Sequence, residues 1–301
     1  MSDRSRPLTF LDPRHLAPIR SLNLRAKLIV EGMIAGMHRS PYHGFSTEFL
    51  EYRAYRPGES TRAIDWRKYA RSDRAVVRLF EDETNLYARI CIDKSASMRF
   101  CSKGRLSKYD YARTLAASLA WILIRQRDAV GMVAFDNRVD AAIPPRSTNV
   151  QLQTILSRLS AIEPGDRTRC GSALDAIART LRKRGMCIIL SDLFDDPEEI
   201  IKGLRHLRFK RQDVMVIWML DPMEAAFDAD SPLHVHDVES GEELRLDGAS
   251  AAEMYARGFE EHRRILENAC KELRIDCEML TTDQPFQKAL FRILERRRKL
   301  L

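Results

Sequence analysis

Met186-Cys187-Ile188-Ile189-Leu190-Ser191-Asp192 is the stretch that decides the fold. Cys187 to Leu190 offer no polar face, whereas a strand with one side in water alternates apolar and polar residues. A run apolar on both faces is what a central parallel strand needs when helices cover each side of the sheet. Val214-Met215-Val216-Ile217-Trp218-Met219-Leu220 repeats the pattern. Working outward, the sequence predicts strands over Tyr87 to Ile92, Ala129 to Phe135, Val139 to Ile143 and Ile275 to Leu280. Between them it predicts helices over Lys108 to Arg125, Val150 to Leu159, Gly171 to Arg182, Pro197 to Leu207, Ala249 to Leu273 and Pro285 to Arg298. Strands alternating with helices of this length imply an α/β fold with a doubly wound, mostly parallel, Rossmann-like sheet. In such sheets ligands bind at the carboxyl ends of the strands.

Those ends carry a pattern of oxygen donors. The first strand runs into Asp93-Lys94-Ser95-Ala96-Ser97, which brings one carboxylate and two hydroxyls into a short loop. The strand at 186–190 runs into Asp192. The loop before the helix at Gly171 holds Asp166-Arg167-Thr168. Mg²⁺ takes about six oxygens at about 2.0–2.1 Å and gives up its waters reluctantly, which suits hydroxyls and water-bridged carboxylates. No thiol or imidazole lies among these residues, which disfavours zinc. Singly, each piece is ordinary: Asp-x-Ser-x-Ser makes a local turn, and an Asp after a strand caps a helix. Their joint occurrence at strand ends of one sheet makes Asp93, Ser95, Ser97, Thr168 and Asp192 the candidate ligand set for Mg²⁺, or for Mn²⁺ or Ca²⁺.

Bulk properties bound the rest. At roughly 150 residues per domain, 301 residues allow two domains. No apolar run reaches the roughly 20 residues of a spanning helix; Leu28 to Met37 is short and holds Glu31. Residues 1–7 lack the apolar segment of a secretory signal, so a cytoplasmic protein is expected. Cys91 and Cys187 fall in strands and the other four cysteines are scattered without a Cys-x-x-Cys pair, so free thiols are expected. A net charge of +7 points to acidic partners. The basic residues are spread out except at Arg296-Arg297-Arg298-Lys299, which reads as a solvated helix end, and nucleic acid is not the expected partner. No Gly-x-x-x-x-Gly-Lys-Ser loop is present, so no ATP site is expected.

Before residue 85 the pattern differs. Residues 13–38 predict one helix with a loose stripe of Leu22, Leu24, Leu28, Ile29, Met33 and Met37. Phe45 to Asp82 reads as short extended runs with a turn at Pro57-Gly58 and a strand at Ala75 to Phe80. The expected division is an N-terminal helical and β extension at 1–84 and an α/β domain at 85–301. Arg53, Arg56, Glu59, Arg62, Asp65 and Arg67 form either an internal ion-pair network or a partner face, with Tyr55 and Trp66 expected to pack internally. His234 and His236 share a strand face, as in a transition-metal site, but a solvent-facing hairpin between Pro232 and Leu246 is the plainer expectation. Asp195-Asp196 reads as helix N-terminal charge or as added negative potential near Asp192.

The strand with Asp93, Ser95 and Ser97, the Thr168 loop and Asp192 resemble the metal-ion-dependent adhesion site of von Willebrand factor A-type domains, over about residues 85 to 285. The resemblance implies Ser95, Ser97 and Thr168 as direct ligands, Asp93 and Asp192 acting largely through water, and an open position for a carboxylate from a partner protein. Upstream, Glu51-Tyr52-Arg53-Ala54-Tyr55-Arg56-Pro57-Gly58-Glu59, then Arg62-Ala63-Ile64-Asp65-Trp66 and Ala70-Arg71, resembles the signature of a bacterial family catalogued as domain of unknown function 58. Members are commonly encoded beside MoxR-type AAA+ ATPases, which implies an adaptor role with such an ATPase in maturing a client complex. Many members carry membrane helices ahead of this region, and none is expected here. The chain departs from the adhesion-site pattern at Lys94, inside the metal loop, and at Arg169, where an acidic residue is common. It also lacks paired glycines before Thr168, which makes Ser172 the fallback ligand.

Three functions follow. The first is a non-enzymatic, metal-dependent protein-interaction module. The second is a metal-dependent hydrolase or nuclease using Asp93 and Asp192; the sequence offers it no general base, and no second acidic cluster for ions about 4 Å apart. The third is a scaffold with an empty metal site, for which Lys94 and Arg169 would be responsible.

Overall fold

The structure, a computed structural model, describes residues 12–37, 49–54, 66–72, 75–80, 86–165, 169–227, 233–236, 243–246 and 248–298. Two helices, α1 (Pro13–Leu16) and α2 (Leu22–Met37), stand where the sequence predicts one. Pro18 lies between them. It has no N–H to continue the ladder, and its ring collides with the preceding turn. Ser21 restarts the helix, its Oγ accepting from Leu24 N at 3.3 Å. Helix α2 buries Ala26, Ile29, Val30 and Met33, a stripe at helical spacing.

Residues 37–85 form a compact unit of their own; the other unit joins 1–36 to 86–301. The sequence drew one boundary at 84/85. The small unit ends one residue later, at Asn85, and α1 and α2, except for Met37, group with the larger unit. In the small unit β1 (Phe49–Ala54) pairs antiparallel with β2 (Val76–Phe80), and α3 (Trp66–Ser72) lies between them in sequence. Trp66, expected to pack internally, is 57% exposed and meets Tyr69 edge-on at 5.9 Å. The other five residues of this short helix are Arg, Lys, Ala, Arg and Ser, which give it no broad apolar face to bury. Tyr55, Arg56, Glu59, Arg62 and Asp65 lie outside the described residues.

The larger unit continues with β3 (Tyr87–Asp93), a 3-10 turn (Ala96–Arg99), α4 (Lys108–Arg125), β4 (Ala129–Phe135), β5 (Val139–Arg146), α5 (Asn149–Ala161), α6 (Cys170–Thr180) and β6 (Met186–Ser191). It then runs through α7 (Pro197–Phe209), β7 (Asp213–Leu220), α8 (Pro222–Ala225), β8 (Leu233–His236), β9 (Glu243–Leu246), α9 (Gly248–Glu272), β10 (Asp276–Thr281) and α10 (Phe286–Arg298). Among the described residues six strands form one sheet in the order β10-β7-β6-β3-β4-β5. Every pairing is parallel except β4 with β5. The fold is α/β with a mostly parallel sheet flanked by helices. Strands β8 and β9 form a separate antiparallel hairpin.

Strand β5 runs on past the predicted end at Ile143, through Pro144 and Pro145. Proline is tolerated there because β5 is an edge strand. Gln151 makes up for the missing donors: its Nε2 donates to Val130 O and to Pro144 O, both at 2.8 Å.

Helices α6, α7 and α9 cover one face of the sheet, where Leu174, Ile177, Ile200, Leu204 and Leu266 pack on Cys187, Ile189, Val214, Val216 and Trp218. On the other face α4 packs against β3 and α10, with Tyr111 stacked on Phe286 at 4.2 Å between ring centres. The start of α2 lines a cavity together with Leu156 and Ser160 of α5. Each fully buried large apolar side chain contributes roughly 1.5–3 kcal/mol. An exposed ion pair is worth about 0–1 kcal/mol, so these apolar layers hold the fold. All six cysteines are free. No described helix is long and apolar enough to cross a membrane.

Helices α6 and α7 approach closely because glycines face each other. A methyl on Gly203 would lie 2.7 Å from Leu174 Cβ and 2.8 Å from Gly171 O, and one on Gly171 would run into the backbone carbonyl of Glu199. Gly203→Ala should therefore cost about 1–3 kcal/mol, although alanine is the better helix former by about 1 kcal/mol. A urea midpoint that rises instead would show that the two helices part without cost.

Candidate functional site

From β3 the chain winds outward to β4 and β5; from β6 it winds the other way, to β7 and β10. The winding direction therefore reverses between β3 and β6, and the crevice beyond their carboxyl ends is where such sheets bind ligands. Asp93 ends β3, Ser191 ends β6, and Asp192 follows. Because Ile92 pairs with Leu190, Asp93 and Ser191 sit abreast. Ser191 Oγ donates to Asp93 Oδ2 at 2.5 Å, and Ser95 N donates to Asp93 Oδ1 at 2.9 Å. Asp93, Ser95 and Asp192 are wholly buried, while Ser97, on the 3-10 turn, is partly exposed.

The hydroxyls of Ser95 and Ser97 are 3.1 Å apart. Adjacent oxygens on an octahedral ion with bonds of about 2.0–2.1 Å lie about 2.9 Å apart, so this pair is close to the spacing that Mg²⁺ needs. Among the described residues no three His, Cys, Asp or Glu side chains converge as a metal-binding group. The candidate set instead combines two carboxyls with hydroxyls, all hard donors. Thr168, with Asp166 and Arg167, lies outside the described residues. Ser172 is exposed at the start of α6, and its Oγ donates to Arg169 O at 3.0 Å. Arg169 itself is exposed.

Lys94 turns aside from the oxygen donors. Its Nζ lies 2.6 Å from Asp136 Oδ2 and 3.6 Å from Asp140 Oδ2. The acidic pair after Asp192 is divided between two helices. Asp195 Oδ2 accepts from Gly171 N at 3.1 Å at the start of α6, and Asp196 caps α7 by accepting from Glu198 N at 2.9 Å.

The turn that delivers Asp192 is strained. Leu193, buried, has φ +53°, a region that a branched side chain rarely enters. Three contacts hold it there. Leu193 N donates to Ser191 Oγ at 3.0 Å, its carbonyl accepts from Asp195 N at 3.0 Å, and the His262 ring Nε2 lies 2.9 Å from the same carbonyl.

Sequence reasoning missed the cation at this site. Lys108, the first residue of α4, is wholly buried. Its Nζ lies 2.7 Å from Asp192 Oδ2 and 2.7 Å from Glu224 Oε1 of α8. The rings of Phe194 and Phe100 cover it, at 4.9 and 6.0 Å from the ammonium. One signal was available: a lysine in the first helical turn opposes the helix dipole, so a buried one there demands a countercharge.

Asp192 and Glu224 thus share one ammonium, and Asp93, close enough to feel the charge of Asp192, has no cation of its own among the described residues. Burial and the neighbouring charge of Asp192 push Asp93 up to about 7, against the hydrogen bonds from Ser191 and Ser95. Burial raises Glu224 too, despite the pull of Lys108. Burial acts to lower Lys108, but Asp192 and Glu224 outweigh it and the net shift is upward. The cluster is short of positive charge, and an added cation would relieve it.

Among curated proteins the chain is similar to the uncharacterized protein Rv1480 of Mycobacterium tuberculosis and to the uncharacterized protein Mb1516 of Mycobacterium bovis. Each is 27% identical over 293 residues, spanning 96% of this chain and 91% of the relative. Among solved structures it is similar to BatB from Bacteroides thetaiotaomicron, at 16% identity and a TM-score of 0.48, over 71% of this chain and 99% of that one. It is also similar to the SpRpn10 VWA domain, at 10% identity and a TM-score of 0.40, over 69% and 94%. The family described as protein of unknown function DUF58 matches residues 51–265, most of the length, and the chain belongs to that family.

Proposed function

We propose that this protein is a non-enzymatic interaction module whose divalent cation completes its coordination with an acidic side chain of a partner protein. One observation carries the reading: two hydroxyls at near-ligand spacing and two buried carboxyls meet where the sheet reverses direction, in a cluster short of positive charge. Ser95, Ser97 and Thr168 would bind Mg²⁺, or Mn²⁺ or Ca²⁺, directly, and Asp93 and Asp192 through water. Once bound, the ion offers a hard positive centre with an exchangeable position. The chain's own groups keep the donors in place: Ser191 and Ser95 N orient Asp93, while Lys108 and Phe194 N hold Asp192. The non-enzymatic assignment draws support from His262, whose ring is engaged with the Leu193 carbonyl rather than with a hydroxyl. The family resemblance supplies a partner, a MoxR-type AAA+ ATPase, with this chain as a cytoplasmic adaptor in assembly or maturation of a client. A scaffold without an ion is the second reading, favoured by the ammonium already on Asp192.

Thermal unfolding with added Mg²⁺ or Mn²⁺ tests the ion. Wild type should gain about 2.7 kcal/mol at 100-fold its Kd, and Asp93→Asn, which keeps the shape without the charge, should gain nothing. The ion should then govern capture of the ATPase. No gain in wild type at millimolar ion would sink a cation held by this chain alone.

A further inference from the structure

We infer that Lys108 is a resident cation of this site, holding the positive position at Asp192 in competition with a divalent ion. The competitor rests on the reading proposed above; the place of the lysine rests on its own contacts. Burying an ammonium is expensive, and a well-packed apolar residue often serves stability as well. Here Phe100 and Phe194 would pack against such a residue directly. Instead the ammonium is clamped by groups that are themselves fixed. Glu224 Oε2 accepts from Asp221 N at 2.8 Å, and Asp221 Oδ2 accepts from Ser102 N at 2.8 Å and from Ser102 Oγ at 3.0 Å. Tyr255 donates to the Glu224 carbonyl at 3.0 Å. Helix α4, helix α8, the loop after the 3-10 turn and helix α9 thus converge to hold one positive charge against Asp192.

The carboxylate can be shared. Two oxygens offer about four lone-pair directions; Lys108 Nζ uses one, and Phe194 N, at 3.3 Å from Oδ1, another. Lone-pair directions are left for a water-bridged ion, but such an ion would meet a like charge at short range in a dry setting, where repulsion is strong. Lys108 therefore keeps the domain folded without a divalent ion and makes ion binding weaker and reversible.

Mn²⁺ titration calorimetry on wild type, Lys108→Met and the double variant Lys108→Gln/Glu224→Gln tests this, with circular dichroism confirming the fold. The double variant removes one positive and one negative charge, so it isolates the local ammonium from net charge and carries the test if the single variant fails to fold. Both variants should bind Mn²⁺ about tenfold or more tighter than wild type. Folded variants that bind at wild-type affinity or more weakly overturn the inference and leave the ion reading standing. Binding in the double variant alone supports the resident lysine and removes the ion from the wild-type protein. No binding in any of the three overturns both.

Discussion

Lys108→Met should lose about 3–5 kcal/mol of unfolding free energy in metal-free buffer, the usual cost of stranding a buried charge. Methionine fills much of the same volume, so the loss comes from charge rather than packing. Asp192, wholly buried, would keep one contact, from Phe194 N at 3.3 Å, and Glu224 would keep Asp221 N. Adding Asp192→Asn should then recover part of the loss, because the stranded carboxylate is gone. Urea unfolding followed by tryptophan fluorescence measures both. A loss below about 1 kcal/mol would mean that water reaches the pair, which the covering Phe194 and Phe100 rings argue against.

Trp218→Ala should cost a similar amount, about 3–5 kcal/mol. Trp218 lies on β7, fully buried, with its ring edge-on to Phe259 at 6.0 Å and to His262 at 5.8 Å. Its removal opens a cavity and also loosens the imidazole that holds the Leu193 carbonyl. Trp218→Phe should behave differently. The indole Nε1 is buried without an acceptor among the described residues, and an unmade hydrogen bond of this kind costs about 1–3 kcal/mol. Phenylalanine gives up some packing but removes that penalty, so the net change should stay within about 1 kcal/mol. Thermal unfolding of the two variants side by side checks this; equal losses would mean that water satisfies the indole.

The central strands were legible because β6 and β7 carry no polar face, and Lys108–Arg125 matched to the residue because Ser107, whose Oγ accepts from Asp110 N at 3.0 Å, marks its start. Failures followed local exceptions. Apolar spacing on both sides of Pro18 masked a break that one proline makes. Strand β5 passes through two prolines because a side chain, Gln151, replaces their donors, which no periodicity announces. Helix α3 is too short and too polar to show a stripe. In the candidate site, the position of Asp93, Ser95, Ser97 and Asp192 at the carboxyl edge of the sheet could be read because strand ends lie in predictable places. Lys108 and Glu224 could not: they stand 84 positions before Asp192 and 116 after Lys108 respectively, and only the folded sheet brings them together.

Helix α2 shares a cavity with α5, yet all of residues 37–85 and the first strands of the sheet lie between them in the chain. A ribosome delivers about 5–20 residues per second, N-terminal end first. The apolar stripe of Ala26, Ile29, Val30 and Met33 therefore emerges on the order of ten seconds before α5. Residues 37–85, compact in their own right, can fold within that interval. The first turn of α2 cannot meet Leu156 and Ser160 until translation has passed α5, so that end of the helix waits uncovered on the nascent chain.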